Sequence, residues 1–523
     1  MTHQITPLPV LVVGAGPTGL ATAGLLRRFG VEVRIIDRAA GTSDQSKANL
    51  LWCRTLEVLD ELGLATAVQE KGDALREGRY SAGATRLATV TTNAIPGTRF
   101  QPTIIQQNVT ERMLADGIDV PVEWRTEAVE YHLDGDRPEV VLRRPDGELE
   151  RVRAEYLVAC DGMRSPLRAA AGVEFEGEAI DEDFVLGDAE VTTSLERGVA
   201  YQFFGSDGFL IAAQLPGGLW RLAGPVGKPV ESPGAADLQA LVDRYAPSGT
   251  IRVTGTDWVD SFRISQRVTP RFRAGRVLLA GDAAHVHSPA AGQGLNSSIQ
   301  DAHNLAWKLA YVVRGLSGED LLDSYDHERR EVAEAIRRVT RMQARMWFMA
   351  RTPLARLRRR LMLRLLDRTG AFERKLLPRL AQLTIDYASS PLTAAAGAKK
   401  GDPLRPGLRL PDVRVRPAGA GEDAWTLRLC ADTRLTVLTA APAAVDGLAA
   451  LAARHPAALA VHQLEAAAGP LEALTTDLVV VRPDGHVGYR GPATDLDALE
   501  RWLVGPLALT TTTPVGAHDA TAH

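Results

Sequence analysis

The stretch VLLAGDAAHVHSPAAGQGLNSSIQDAHNLAWKLA, Val277 to Ala310, gathers residue types that could hold a flat ligand carrying or developing negative charge. An apolar run stops at Gly281-Asp282, a loop with Pro289, Gly292 and Gly294 follows, and a helical pattern opens after Asn296. Ser298 and Asp301 have capping-box spacing, and Ala302, Leu305, Ala306, Leu309 and Ala310 form one apolar stripe. Such a helix start offers free backbone N–H groups and the positive end of a dipole, and glycines before it let a ligand lie against the backbone. The plain alternative is a loop leading into a core helix.

A second motif stands near the other end of the chain, in PVLVVGAGPTGLATAGLLRRFGVEVRIIDR. A buried strand from Val10 to Val13 leads into Gly14, Gly16 and Gly19 in GxGxxG spacing, then a helix to about Phe29 and a strand ending at Asp37. In a dinucleotide-binding unit the glycines allow the tight turn and the approach of pyrophosphate, and the terminal acid accepts from ribose hydroxyls. The motif alone does not separate NAD from FAD. The same apolar run, Val10 to Leu26, lacks a basic start and is broken by Gly and Pro, so it does not read as a signal peptide. Two weaker signals follow. Arg54 opens a short helical pattern, either as a solvated residue or as a phosphate partner, and a strand from Tyr156 to Ala159 ends in Asp161-Gly162 before a helix from about Pro166.

The elements that position these motifs alternate α and β, with interruptions. Residues 73–99 and 173–265 read as short strands broken by Gly and Pro, a mostly antiparallel sheet in which Phe203, Phe204, Phe209 and Trp220 either line a pocket or fill a core. A hairpin spans Glu139 to Arg153. From Leu321 to about Leu383 run arginine-rich helices, expected to pack a Leu and Met face on the body; the alternative is a basic helix for a membrane or acidic partner. A Pro/Gly cluster at 401–411 precedes a strand, helix, strand-turn-strand unit, and 508–523 read as a disordered tail.

The chain has 523 residues, 45% hydrophobic and 24% charged, enough for two or three domains with a large core. A net charge of -4 gives no reason to expect nucleic acid or an anionic membrane as partner. Three cysteines, Cys53, Cys160 and Cys430, are far apart and in no metal-like spacing, so no metal and a reduced cytoplasmic setting are expected.

Taken together, GAGPTGL with Asp37-Arg38, CDGMRSPLR, and GDAAHVHSPAAGQGLN resemble the class A FAD-dependent monooxygenases, in particular the phenol and aromatic polyketide hydroxylases. The resemblance implies an α/β fold. A discontinuous Rossmann-type FAD-binding domain (1–72, 100–172 and 266–395 with its helices) would carry an antiparallel β-sheet substrate domain (73–99 and 173–265). A thioredoxin-like domain would follow at 400–507, without CxxC. It also implies roles by motif. Gly14, Ala15, Gly16, Pro17, Thr18 and Gly19 would hold the pyrophosphate, Asp37 the adenosine ribose, and Arg38 and Val129 the adenine side. Arg54 would contact FAD, Gln107 (with Gln106 as second choice) the ribitol, and Asp161 would sit between FAD and nicotinamide. Gly281 and Asp282 would bind the ribityl chain. Pro289 would lie over the isoalloxazine, with Gly292, Gly294, Leu295 and Asn296 along its pyrimidine side; Ala291 stands where many relatives have Gly.

The catalytic loop is then Pro289, Gly294 and Leu295, with no general base assigned; His285 reads as structural, and His287 and His303 as satisfied histidines. The implied cofactors are tightly bound, non-covalent FAD and transient NADPH or NADH. The implied reaction is oxygen transfer from a flavin C4a-hydroperoxide to an aromatic substrate. Baeyer-Villiger or decarboxylative oxygenation, a reductase without oxygenation, a non-catalytic flavin scaffold and a homodimer remain open.

Overall fold

The computed structural model describes residues 8–93, 95–287, 292–348, 352–395 and 401–510. Pro289, Ala291 and 511–523 of the expected tail lie outside the described residues.

The chain opens with β1 (Leu8–Val13), α1 (Pro17–Arg28) and β2 (Val33–Asp37), the two strands parallel from Val10↔Val33 to Val13↔Ile36. Val10, Leu11 and Val12 are completely buried, as residues of a parallel strand covered on both faces are. Helix α2 (Cys53–Glu61) follows, and then β3 (Glu77–Ala82) and β4 (Thr85–Thr91) leave for a second sheet. The hairpin of β5 (Glu139–Arg143) and β6 (Leu149–Ala159) turns where expected. The run at Tyr156–Ala159, however, is the end of β6 and not a separate strand. The outer half of β6 pairs with β5, and its last residues enter the core between β1 and β12 (Val277–Leu279), parallel to both.

This register has a direct consequence. The parallel strands β2, β1, β6 and β12 end together, so Asp37, the Gly14–Gly19 turn, Asp161-Gly162 and Gly281-Asp282 emerge on one edge, where ligands of open α/β sheets bind.

The second sheet takes β7 (Glu176–Thr193), β8 (Val199–Phe204), β9 (Phe209–Gln214), β10 (Trp220–Val226), β11 (Ile251–Val268) and β13 (His285–Val286). Its order is β13-β11-β7-β10-β9-β8-β3-β4, antiparallel except for β8 against β3. Side chains alternate across it, so Phe203 and Trp220 enter the core on one face while Ala200, Gln202, Ile211, Ala213, Arg221 and Ala223 line a cavity on the other.

Helix α3 (Gln293–Val313) starts earlier than its capping pattern suggests. Ser298 is interior, its hydroxyl donating to the Gly294 carbonyl, and Asp301 is fully buried. The chain instead enters the helix through Gly292 at φ 61, a left-handed conformation that glycine adopts without strain. Helices α4 (Leu321–Phe348) and α5 (Pro353–Thr369) follow. On α5 the expected packing holds in part: Met362, Leu363 and Leu366 turn toward the cavity and most arginines are exposed, but four leucines also face outward. Leu354, Leu357, Leu361 and Leu365 are 67%, 51%, 58% and 62% exposed, while Arg359 and Leu363 face the body. Arg359 is drawn inward by the Phe204 ring, 4.4 Å from its guanidinium carbon, and by the Gly205 carbonyl at 3.1 Å.

The C-terminal unit has its own mixed sheet, in which Leu435–Thr439 runs parallel to Leu459–Gln463 and antiparallel to Asp477–Val481. Buried charges lock it to α3 and α4. Arg482 donates to Glu328 at 2.6 and 2.8 Å, Lys308 to Glu328 at 2.7 Å, and Asn304 to Asp484 at 2.9 Å. Cys430 is buried and its thiol is pushed up by burial, so it is not a reactive thiolate. Among the described residues no group of side chains could hold a metal, and no helix is long and apolar enough to cross a membrane.

Candidate active site

One cavity of about 600 Å³ runs from the glycine-rich turn, past the start of α3, to the open face of the second sheet and the inner side of α5. Gly16, Pro17, Thr18, Gln107, Asp282, Gly292, Gly294 and Leu295 all border it. The remaining glycines act by packing. A Cβ on Gly19 would lie 1.9 Å from the Gly14 carbonyl oxygen, and one on Gly14 would lie 2.4 Å from that of Cys160. A Cβ on Gly16 or Gly294 would meet no protein atom within 4 Å, so at these two points bare backbone is open to a ligand. The Asp37 carboxylate accepts from the Ala15 and Ala39 N–H groups at 2.7 and 2.8 Å, which fixes it beside the turn. Arg38 is exposed nearby, and Val129 is half-buried on Glu127–His132, just past Thr126, whose N–H donates to the Asp37 carbonyl at 2.9 Å.

The charged groups along the sheet edge suit a dinucleotide. Burial pushes the Asp161 carboxyl up, while Asp282 is exposed and borders the cavity. Asp161 keeps one buried oxygen, Oδ1, without a protein partner, while Oδ2 accepts from Leu167 N–H at 3.2 Å. The start of α3 adds the positive end of a 21-residue helix, worth about 0.3–1 kcal/mol to an adjacent anion and more when desolvated. Open backbone at Gly16 and Gly294 and a helix start on one continuous cavity, with Asp37 oriented beside the first turn, fit FAD.

Three candidates are engaged by the protein itself. Arg54 does not face the cavity. It is 2% exposed and donates to Glu57 at 2.9 Å and to the Asp484 carbonyl at 2.5 Å, because α2 is capped by the C-terminal unit. Asn296 is saturated by protein: Oδ1 accepts from Trp52 N–H at 2.8 Å and Thr55 hydroxyl at 2.6 Å, and Nδ2 donates to the Leu50 and Gly292 carbonyls. It binds the 50–55 segment to the helix start and so shapes the wall without lining it. Gly281 is likewise structural, its N–H donating to Asp301 and its Cα packed on Thr18.

His285 is structural as expected, with Nε2 2.6 Å from Asp301, which also accepts from Arg329 at 2.6 Å. Burial alone would raise the Asp301 carboxyl, but His285 and Arg329 bring it down to about 2. A depressed acid stabilises the fold above its ordinary value of 3.8 and loses that contribution as pH falls toward 2. Asp301→Asn is therefore expected to lower the thermal midpoint at pH 7 and to flatten its fall between about pH 4 and pH 2, by roughly 2 kcal/mol of stability. Parallel acid limbs in the two proteins would refute the assignment.

Other cavity residues were assigned no cofactor contact by the motifs. Lys47 sits on its rim, 3.7 Å from Asp260. Arg221 is held by Asp188 and donates to the Ser46 carbonyl at 2.7 Å, leaving Nη1 without a partner. Gln202 and His287 also present unpartnered nitrogens. Phe184, Phe209, Phe262 and Tyr80 line the apolar end, with the Tyr80 phenol pushed up to about 12 by burial, so it stays protonated. The register that turns these residues inward involves strands far apart in sequence, which local patterning does not record.

Comparison with known proteins gives the family. The chain matches the family described as FAD binding domain over residues 7–340, and that described as aromatic-ring hydroxylase, C-terminal, over residues 403–506. It is 32% identical over 553 aligned residues to 6-methylpretetramide 4-monooxygenase of Streptomyces rimosus, spanning 98% of this chain and 96% of the relative. The structure of anhydrotetracycline hydroxylase OxyS from Streptomyces rimosus matches with a TM-score of 0.80 at 29% identity, over 95% of this chain and 99% of that one. Aklavinone-11 hydroxylase in complex with FAD and aklavinone matches with a TM-score of 0.78 at 25% identity, over 96% and 99%. The chain belongs to the FAD-dependent aromatic-ring hydroxylases. It is an FAD-dependent monooxygenase, with NAD(P)H and O2 as the co-substrates of that class, and these relatives favour oxygen insertion over reduction alone.

Proposed function

We propose that this monooxygenase hydroxylates a flat polycyclic phenol of the aromatic polyketide type. The observation that carries the reading is the extension of the cofactor cavity into an apolar chamber. Phe184, Leu186, Phe209, Ile211 and Phe262 pave its sheet side, and Met362, Leu363 and Leu366 of α5 close it. Several apolar rings would be needed to fill that space. The names of the relatives point the same way.

Gly16, Pro17 and Thr18 would hold the FAD pyrophosphate, Asp37 the ribose and Asp282 the ribityl chain. Gly292, Gly294 and Leu295 would lie along the isoalloxazine. Bound FAD supplies electron transfer from NAD(P)H and the activation of O2. The chain holds the cofactor and substrate rings in fixed relation, keeps water from the reacting centre through the apolar chamber, and places the start of α3 where negative charge develops. The three cysteines, all unpaired, suit a reducing cytoplasm.

The test is a yellow holoenzyme assayed in air for NADPH oxidation with and without a panel of polycyclic phenols. Acceleration by one of them, with a product heavier by one oxygen atom, is the expected result. Equal NADPH oxidation without oxygen would favour a reductase, and a product with oxygen inserted beside a ketone would favour Baeyer-Villiger chemistry.

A further inference from the structure

His287 follows β13, the edge strand of the second sheet, and borders the cavity together with Val286 before it. Both its ring nitrogens are buried, and neither has a hydrogen-bond partner. This differs from the satisfied histidine that its sequence context suggests. An unpaired buried polar atom costs about 1–3 kcal/mol, so an imidazole with two of them is a group awaiting a ligand.

The ring is also held in place. It packs against the His285 ring at a centroid distance of 4.8 Å and 31°. His285 is in turn fixed by Asp301, and Asp301 by Arg329. Around it stand His285, Asp301, Arg329 and Arg337; burial first, then the His285 charge, keep the imidazole neutral well below its ordinary range. A neutral imidazole has one N–H donor and one lone-pair acceptor, whereas the other unpartnered cavity atoms, Arg221 Nη1 and Gln202 Nε2, are donors only. Of these three groups with unpartnered buried nitrogens, His287 is the one whose free nitrogen can accept from a hydroxyl. It sits at the edge of the sheet that floors the apolar chamber.

We propose that His287 is a substrate-contacting residue that reads a ring hydroxyl: its acceptor nitrogen takes a hydrogen bond from the phenol, orienting the ring beside the cofactor. The proposal rests on the polycyclic-phenol reading above. The bond leaves the proton on the substrate oxygen and raises electron density at the ring carbons ortho and para to it, the carbons an electrophilic oxygen attacks.

The test measures binding of 2-hydroxyanthraquinone and of 9,10-anthraquinone to the FAD-loaded enzyme, from the change in flavin absorbance. The two probes differ by one hydroxyl. Wild type is expected to bind the hydroxylated probe about ten-fold more tightly, consistent with one hydrogen bond in a desolvated site. His287→Phe should bring the ratio to about one with anthraquinone affinity and FAD content unchanged, and His287→Gln should keep part of the preference. A ratio that survives in His287→Phe, a variant that weakens both probes equally, or one that only loses FAD would overturn the proposal. Wild type binding both probes equally would also overturn it, leaving the cavity reading intact. Wild type binding neither would overturn both.

Discussion

Gly19→Ala is expected to purify nearly colourless, with FAD bound about 100-fold more weakly than in wild type, the factor that about 3 kcal/mol of overpacking represents. The added Cβ would lie 1.9 Å from the Gly14 carbonyl oxygen and 3.3 Å from the Cys160 Cβ. Neither contact is with a flexible side-chain end, so α1 must move off β1 and β6. That displacement moves the helix start and opens the turn. Gly16→Ala is the informative partner. Its Cβ meets no protein atom within 4 Å, so the fold should keep its thermal midpoint while FAD binding weakens through the ligand alone. Titrating both apoproteins with FAD, alongside melting curves, separates the two effects. Wild-type affinity in Gly19→Ala would contradict the close packing described here.

The second large effect is expected from Arg482→Met. Arg482 is 1% exposed, grips Glu328 with two hydrogen bonds and also donates to Asp484. Burial would raise the Glu328 carboxyl, but Arg482 and Lys308 hold it well below its ordinary range. Removing the guanidinium leaves Glu328 and Asp484 underpaired in the interior, where breaking a buried pair costs about 3–5 kcal/mol. Over a chain of this length, with about 2.1 cal/mol/K of unfolding entropy per residue, the thermal midpoint should fall by roughly 4 °C. The double variant Arg482→Met with Glu328→Gln should recover part of the loss, because the uncompensated charge goes with the partner. An unchanged midpoint in the single variant would mean that these groups contribute nothing measurable to holding the C-terminal unit.

How far the molecule could be read from its sequence depended on whether the cause of a feature was local. The strands β1 and β12 and the last residues of β6 read correctly because parallel strand segments covered on both faces must be continuously apolar, and each ends in a residue the turn requires. The packing role of Gly14 and Gly19 was legible because the clash a Cβ would cause lies within the motif or just past the neighbouring strand end. Arg54 could not be read, since its partner Asp484 lies 430 residues away in a separate unit. The start of α3 was misplaced because Asn296, a residue typical of helix caps, spends its side chain on Trp52, Thr55, Leu50 and Gly292. The stripe of leucines on α5 has the spacing of a packed face, yet the inward position goes to Arg359 because Phe204 offers its guanidinium an aromatic surface. Gln202 and Arg221 depend on strand register, and His287 on a cavity built from segments scattered through the chain.

The order of strands in the first sheet also bears on biosynthesis. The partners of β1 are β2, close by in the chain, and β6, whose other neighbour β12 begins only at Val277. Segments bordering the cofactor site run from Gly16 to Leu380. A ribosome must therefore release most of the polypeptide before the pocket has all its walls. Until then the nascent glycine-rich turn has its helix but lacks the walls supplied by α3 and α5, so a complete flavin pocket exists only late in translation.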